Sequence, residues 1–226
     1  MKGFVLAMQF FKRRISDTDD EYSLDSIPYG PEFVRRSQAD FIDNVKVIFS
    51  WVWKIALSAL ILLSFTVFLI NAEIPSGSME NTIMTGDRIF GNRLAYNGSK
   101  SPKRYDVVIF EDPTGSGKYL IKRVIGLPGD TLVFKDGDVY LKDESEPLDD
   151  SFCKTQHSTG TGLLNGDTVY VPEGCYFVMG DNRKDSLDSR YWVNKSGEPI
   201  PYVKESDIIA KAAFRYYPFN KIGLIK

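Results

Sequence analysis

Histidine is nearly absent from this chain: His157 is the only one in 226 residues. It lies in "CKTQHSTGTG", a polar stretch of Gly and Thr that reads as loop. A multi-histidine metal centre is thereby excluded, and a Ser-His-Asp triad has one poorly placed candidate. Cysteine is scarce too. Cys153 and Cys175 are too few for a disulfide-dense scaffold and lack metal-ligand spacing. Charge of neither sign dominates: 28 Lys and Arg against 30 Asp and Glu leave a net charge of −2, which gives no reason to expect a nucleic-acid partner. No internal repeat is visible. A phosphate loop is missing as well. In "DPTGSGKYL", Asp112 occupies the first Gly position and Tyr119 stands where Ser or Thr is required. No feature points to a metal or organic cofactor.

What the chain does have is one long apolar run. Residues 47–70, "VIFSWVWKIALSALILLSFTVFLI", carry a single charge, Lys54. About 20 helical residues cross a bilayer core of roughly 30 Å, so the run is long enough to span. Lys54 near its start can snorkel to the headgroups, and Trp51 and Trp53 suit the same interface. A cleavable signal peptide has a shorter apolar core and a short basic leader. Here residues 1–46 precede the run, which favours a retained anchor over a signal peptide or a buried core helix. Arg35, Arg36, Lys46 and Lys54 lie on its N-terminal side, and no Lys or Arg follows until Arg88. The positive-inside rule then puts residues 1–46 in the cytoplasm and residues 71–226 outside. Within the leader, "MKGFVLAMQFFKRR" has the pattern of a short interfacial helix, followed by a solvated linker.

After residue 71 the pattern changes to short strand-like runs split by turn residues, among them "YDVVIFEDP", "YLIKRVIGLPGD" and "DTVYVPEGCYFVMGDN". Lys-Asp-Gly-Asp between two alternating segments predicts a hairpin. The fold class expected is mainly β, preceded by one N-terminal transmembrane helix. An external domain is in an oxidising setting, where Cys153 and Cys175 are a candidate disulfide. In the chain-entropy model such a bond, closing a loop of about 20 residues, is worth roughly 3–4 kcal/mol. Two unpaired buried thiols are the rival expectation.

Two stretches carry candidate chemistry. A serine hydroxyl is a poor nucleophile until a base takes its proton, and with histidine excluded the bases left are carboxylates and lysines. In "YLIKRVIG", strand alternation puts Lys122 on one face with Leu120 and Val124, and Arg123 on the other with Ile121 and Ile125. An ammonium between aliphatic side chains is poorly solvated, which lowers its pKa towards that of a usable base. A lysine snorkelling off a half-buried strand fits the same pattern. In "IPSGSMENT", residues 74–82, small hydroxyls flank Gly77 just beyond the apolar run. An ordinary loop would also read this way.

Taken together the segments resemble a known family, the bacterial type I signal peptidases, membrane-anchored Ser/Lys-dyad enzymes. "IPSGSMENT" is similar to the family's nucleophile box, "GDRIFGNRLAY" to its second box, "YLIKRVIGLPGD" to its lysine box and "GDNRKDSLDSRYW" to its C-terminal box. They occur in the family's order behind an anchor and cover about residues 47–217. One departure is Asn81, where the family usually has Pro. The resemblance implies Ser78 as nucleophile and Lys122 as general base. It implies an oxyanion hole from the Ser78 N–H and the Ser76 hydroxyl. Ser186 would orient Lys122 by a hydrogen bond, and Asp188 and Arg190 would form a supporting ion pair. The fold implied is a barrel-like catalytic β core with an inserted β subdomain at about 131–174. The partners implied are preproteins bearing signal peptides and the lipid bilayer, and the location is the bacterial inner membrane with the catalytic domain on its outer side.

Seven residues separate Ile70 from Ser78, at most roughly 28 Å of extended chain, so the nucleophile is held near the membrane surface. Gly77 would let the backbone approach a substrate closely. Ile74, Met79 and Ile121 are candidate liners of shallow pockets for small residues at substrate positions −1 and −3. Two other readings stay open: a specialised Ser/Lys processing peptidase of the conjugative-transfer type, and a tethered β-domain that binds secreted chains without cutting them.

Overall fold

The computed structural model describes residues 31–98, 100–162, 164 and 167–225. The interfacial helix and linker expected over the leader's first 30 residues lie outside them. The chain divides into two compact units, Met1–Leu60 and Ile61–Lys226.

Helix α1 runs from Pro31 to Phe68. Proline suits a first helical position, because its fixed φ is helical and its missing N–H would have no partner there. From Asp40 to Phe68 the helix is long and apolar enough to cross a membrane. Its large side chains stay exposed, among them Phe49, Trp53 and Leu62. A helix that is greasy all round and uncovered suits lipid better than water. It ends two residues before the apolar run does. Leu69 and Ile70 instead open strand β1 (Leu69–Glu73), and Ile70 packs against a buried cluster of the β domain. Burial in tertiary structure outweighs continuation of the helix at that point.

The β domain is mainly antiparallel. Its larger sheet contains β1, β2 (Arg88–Asn92), β3 (Val107–Glu111), β4 (Tyr119–Gly126), β8 (Cys175–Met179), β9 (Val203–Lys204), β10 (Ile208–Tyr217) and β11 (Gly223–Leu224). The order across it is β1-β2-β10-β3-β4-β8-β9, with β11 on β10. Register shifts at Ala212/Phe214 and Arg215/Tyr217 bend the long β10. The sheet curves without closing, so the core is an open relative of a barrel. The smaller sheet, β5 (Thr131–Lys135), β6 (Asp138–Leu141) and β7 (Thr168–Tyr170), has the order β6-β5-β7. Its hairpin turns through Asp136 and Gly137, whose φ values of 54° and 89° fit a two-residue type I′ turn. Leu132, Phe134 and Val169 of this sheet share one hydrophobic cluster with Phe177 and Met179 of β8.

Candidate active site

Ser78 sits on a 3-10 turn, Gly77–Met79, a few residues beyond β1. Met79 is buried and anchors the turn, since the Thr82 and Ile83 amides both donate to its carbonyl. From the other side, the Asn182 amide donates to the Ser78 carbonyl and Asn182 Nδ2 to the Gly77 carbonyl, both at 3.0 Å. Gly180 stands directly against this turn. A Cβ there would collide with the Ser78 carbonyl and with Ser186 Oγ, so the close approach requires glycine. Gly77 is under less constraint: a Cβ there would meet only the movable carboxylate end of Glu80.

Lys122 lies on β4, opposite Val108 of β3. The strand is covered on both faces there. Leu120 and Val124 pack in a cluster with Phe110 and Val178, and Ile121 packs with Ile74 and Met79. Lys122 keeps 4 % of its surface exposed, and its Nζ is 2.6 Å from Ser78 Oγ. Among the described residues no carboxylate lies within ion-pair distance of it. Burial pulls its pKa down to about 8; Asp188 and Asp181 offset part of that effect and Arg190 adds to it. The result is an amine hydrogen-bonded to a serine and poised to lose its proton near neutral pH.

A cavity of about 270 Å³ opens onto this pair. Its lining runs from Ile70 along β1 to Ile74, takes in Ser76, Ser78 and Met79, and closes on Tyr119–Lys122 of β4. The structure therefore brings Ile74, Ser76, Ser78, Met79, Ile121 and Lys122 to one cavity. Ser76 is exposed and its side chain caps nothing, which leaves the hydroxyl available to a bound group.

Ser186, Asp188 and Arg190 stand behind this cavity. Asp188 and Arg190 form a fully buried two-pronged pair, with Nε to Oδ1 and a terminal nitrogen to Oδ2 both at 2.8 Å. Asp188 also accepts from the Gly180 amide, and Arg190 donates to the Arg183 carbonyl, so the pair fixes the segment that grips Ser78. The hydrogen bond expected from Ser186 to Lys122 is not formed. Ser186 Oγ is buried against Gly180 without a hydrogen-bond partner among the described residues, while Lys122 is directed at Ser78.

Sequence reasoning missed a second buried ion pair. Arg123 is not turned to water; it meets Asp181 through two bonds of 2.8 and 2.7 Å, and both side chains are buried. Thr82 donates to the same carboxylate at 2.5 Å. The only signal was the basic neighbour of Lys122 and an Asp in the C-terminal box.

Asn81, flagged as a departure, has φ +97°, which proline cannot adopt. Its Nδ2 donates to the Phe152 carbonyl at 2.9 Å, so the residue ties the turn down.

The expected Cys153–Cys175 bond is absent, and both thiols are free. Burial pushes the Cys153 thiol up to about 11, Arg183 offsetting part of that effect and Asp181 adding to it, whereas the charges around Cys175 are Lys204 and Asp207. His157 Nδ1 lies 2.7 Å from Asp138 of β6, away from Ser78. With Asp150 these two are the one group of His, Cys, Asp or Glu among the described residues able to converge three donors on a metal ion.

The profile of a family described as "Signal peptidase, peptidase S26" matches residues 48–217. The chain is 36 % identical over 181 residues to a protein named signal peptidase I from Bacillus licheniformis, covering 77 % of this chain and 91 % of that one. It is 35 % identical over 174 residues to signal peptidase I U from Bacillus subtilis strain 168, covering 76 % and 88 %. A crystal structure of a signal peptidase I from Enterococcus faecalis V583 is similar at 32 % identity and a TM-score of 0.39, over 50 % of this chain and 98 % of that one.

Proposed function

The chain belongs to the peptidase S26 family of signal peptidases, and from that premise we propose that Ser78 is its nucleophile and Lys122 its general base. It is a serine endopeptidase that removes signal peptides, so its substrates are preproteins that carry them. The single observation behind the residue assignment is the buried 2.6 Å contact between Lys122 Nζ and Ser78 Oγ at the floor of a cavity.

In the neutral form, Lys122 accepts the Ser78 proton as Oγ attacks the scissile carbonyl carbon. The Ser78 N–H and the exposed Ser76 hydroxyl stabilise the oxygen that becomes negative. The Lys122 ammonium then hands its proton to the leaving amine, and an acyl-enzyme on Ser78 remains. Neutral again, Lys122 deprotonates the water that releases the signal peptide. Asp188–Arg190 and Arg123–Asp181 touch no reacting atom; they position Lys122 and the turn that bears Ser78.

The cavity's course along β1 supports an extended substrate. Among the described residues β1 is an edge strand with one neighbour, β2, so a peptide can lie beside it and use main-chain hydrogen bonds. Ile74, Met79 and Ile121 then favour small residues at positions −1 and −3. The bias of Lys and Arg to the N-terminal side of α1 supports an orientation with residues 1–46 cytoplasmic and residues 71–226, including the insertion at about 131–174, on the outer side of the bacterial inner membrane. The test is incubation of the detergent-solubilised chain with a precursor whose signal ends in Ala-X-Ala, beside Ser78→Ala. Cleavage by the parent alone is expected. Equal processing by Ser78→Ala removes the assignment.

A further inference from the structure

Residues 88–104 contain Arg88, Arg93, Lys100, Lys103 and Arg104 and no Asp or Glu. Arg88 pairs with Glu73 and Arg104 with Asp130. Arg93, Lys100 and Lys103 have no carboxylate within ion-pair distance among the described residues. Lys100 and Lys103 line a cleft of about 470 Å³ together with Tyr96, Ser101 and Lys211. Asp106 is the one carboxylate in that lining, and it is already taken. Lys211 Nζ donates to it at 2.5 Å, the Tyr96 hydroxyl at 3.0 Å and the Lys103 amide at 3.1 Å. Ser101 donates to Glu205, just outside the lining, at 2.7 Å. An occupied Asp106 cannot also neutralise Lys100 and Lys103, so the cleft presents ammonium groups that have no carboxylate partner among the described residues.

Its place in the sheet indicates what such a cleft would meet. Leu69 of β1 is opposite Asn92 of β2, and Asn92 is opposite Lys211 of β10. Neighbouring strands are about 4.8 Å apart, so the Lys211 backbone stands about 10 Å from the residue that follows α1. The turn after β2, which leads into Ala95 and Tyr96, is bonded to the helix itself: the Arg93 amide donates to the Phe68 carbonyl at 3.0 Å. The cleft thus lies at the edge of the β domain where the apolar helix enters, and the same cross-strand row continues from Lys211 through Val108 of β3 to Lys122 of β4.

We propose that this cleft, formed around Lys100, Lys103 and Lys211, binds the phosphate headgroup of an anionic lipid in the bilayer that α1 crosses. The inference rests on the reading of α1 as a membrane span and not on the catalytic assignment. A lipid phosphate would take the free donors of Lys100 and Lys103 and fix the height and rotation of the sheet at the surface, which sets the level at which the β1 cavity opens. Polybasic segments beside a membrane helix are drawn to anionic headgroups by the same electrostatics.

Native mass spectrometry of the full detergent-solubilised chain, offered equal phosphatidylglycerol and phosphatidylcholine, counts the lipids retained. The parent should retain phosphatidylglycerol about tenfold over phosphatidylcholine. Lys100→Gln/Lys103→Gln should lose that preference, and Lys135→Gln on the smaller sheet should keep it. An unchanged preference in the double variant overturns the proposal. So does complete displacement of phosphatidylglycerol by low millimolar glycerol phosphate, which would make the cleft a site for free anions. Two separate readings isolate the premises. Resistance to alkaline extraction tests the span, and precursor cleavage by the double variant in detergent, expected to match the parent, reports that fold and dyad are intact.

Discussion

In the larger sheet and the loops packed on it, Asp87, Lys122, Arg123, Asp181, Arg183, Asp188 and Arg190 are all buried. Across residues 131–174, which include the smaller sheet, no described charged side chain is buried. The two regions share a hydrophobic cluster, so the contrast does not come from one having a core and the other lacking it. A buried charge is costly unless paired, and six of the buried or half-buried groups meet that cost as pairs: Asp87 with Arg215, Arg123 with Asp181 and Asp188 with Arg190. That leaves Arg183 and Lys122. A guanidinium stays charged in any protein; Arg183 is held by Thr159 and the face of Phe152. An amine can escape the penalty by losing its proton. Among the described residues Lys122 is thus the one buried amine, and burial favours its neutral form.

The strongest way to break this contrast is to exchange lysines in each region. Ser78→Ala, Lys122→Arg and Lys122→Met should each lose cleavage by on the order of 10⁴–10⁶-fold, because residues that act as a unit fail together. Lys122→Arg keeps the charge but cannot yield the proton. Lys122→Met should stay folded, since an apolar chain of similar reach suits the buried position. Lys135→Arg, on the exposed end of β5, should leave the rate within twofold, about 0.4 kcal/mol. Measured kcat/KM on one precursor checks all four, and an active Lys122→Arg would end the case for Lys122 as base.

The next effect is that of pH. With Lys122 titrating near 8, kcat/KM should fall about tenfold for each unit below that value and level off above it. The same shift acts on stability. Between pH 8 and 10.5 the unfolded lysine binds a proton that the folded one does not, so stability rises with pH through this window. The penalty, about 3 kcal/mol, is complete below pH 8 and gone above 10.5. Urea denaturation of the parent against Lys122→Met should show the variant's advantage shrinking over that range. A constant difference would mean that Lys122 is not desolvated.

How much of this was legible in the sequence follows from the distance over which each feature acts. The apolar run, the Asp136–Gly137 hairpin and the mainly β character are set by neighbours in the chain. Ser78 and Lys122 were singled out by segments that also look like a loop and a snorkelling lysine, and resemblance to a family tipped that balance. What escaped depends on partners far apart in sequence. Arg123 reaches Asp181 across 58 residues and Asn182 reaches Gly77 across 105, and neither segment's composition announces the other. The position of Ser186 was carried over as a bond to Lys122, but packing against Gly180 decides where its hydroxyl goes.

Asn81 links the two regions, since its side chain holds the Phe152 carbonyl in the loop that follows the smaller sheet's first hairpin. Asn81→Pro cannot keep φ +97° and should cost about 3 kcal/mol in stability with a marked loss of kcat. Asn81→Gly keeps the backbone and loses only the tether, about 1 kcal/mol. Thermal melts and kcat for the two variants separate backbone from tether. A stable and active Asn81→Pro would show that the turn behind Ser78 accepts another path.

The smallest effect expected is at the cysteines, which stand one in each environment. Cys153 is buried beside the charged cluster and Cys175 opens β8 at the edge shared with β9. If they were bonded, removing either would cost several kcal/mol through the freed loop. Because both are free, Cys175→Ser should change stability by no more than about 0.5 kcal/mol. Thiol labelling sharpens the point. Denatured, unreduced protein should take two labels per chain. In the folded protein Cys175 should react first, because thiolate is the reactive form and burial holds Cys153 at about 11. Zero labels on denatured protein would join the two environments by a covalent bond and undo their independence.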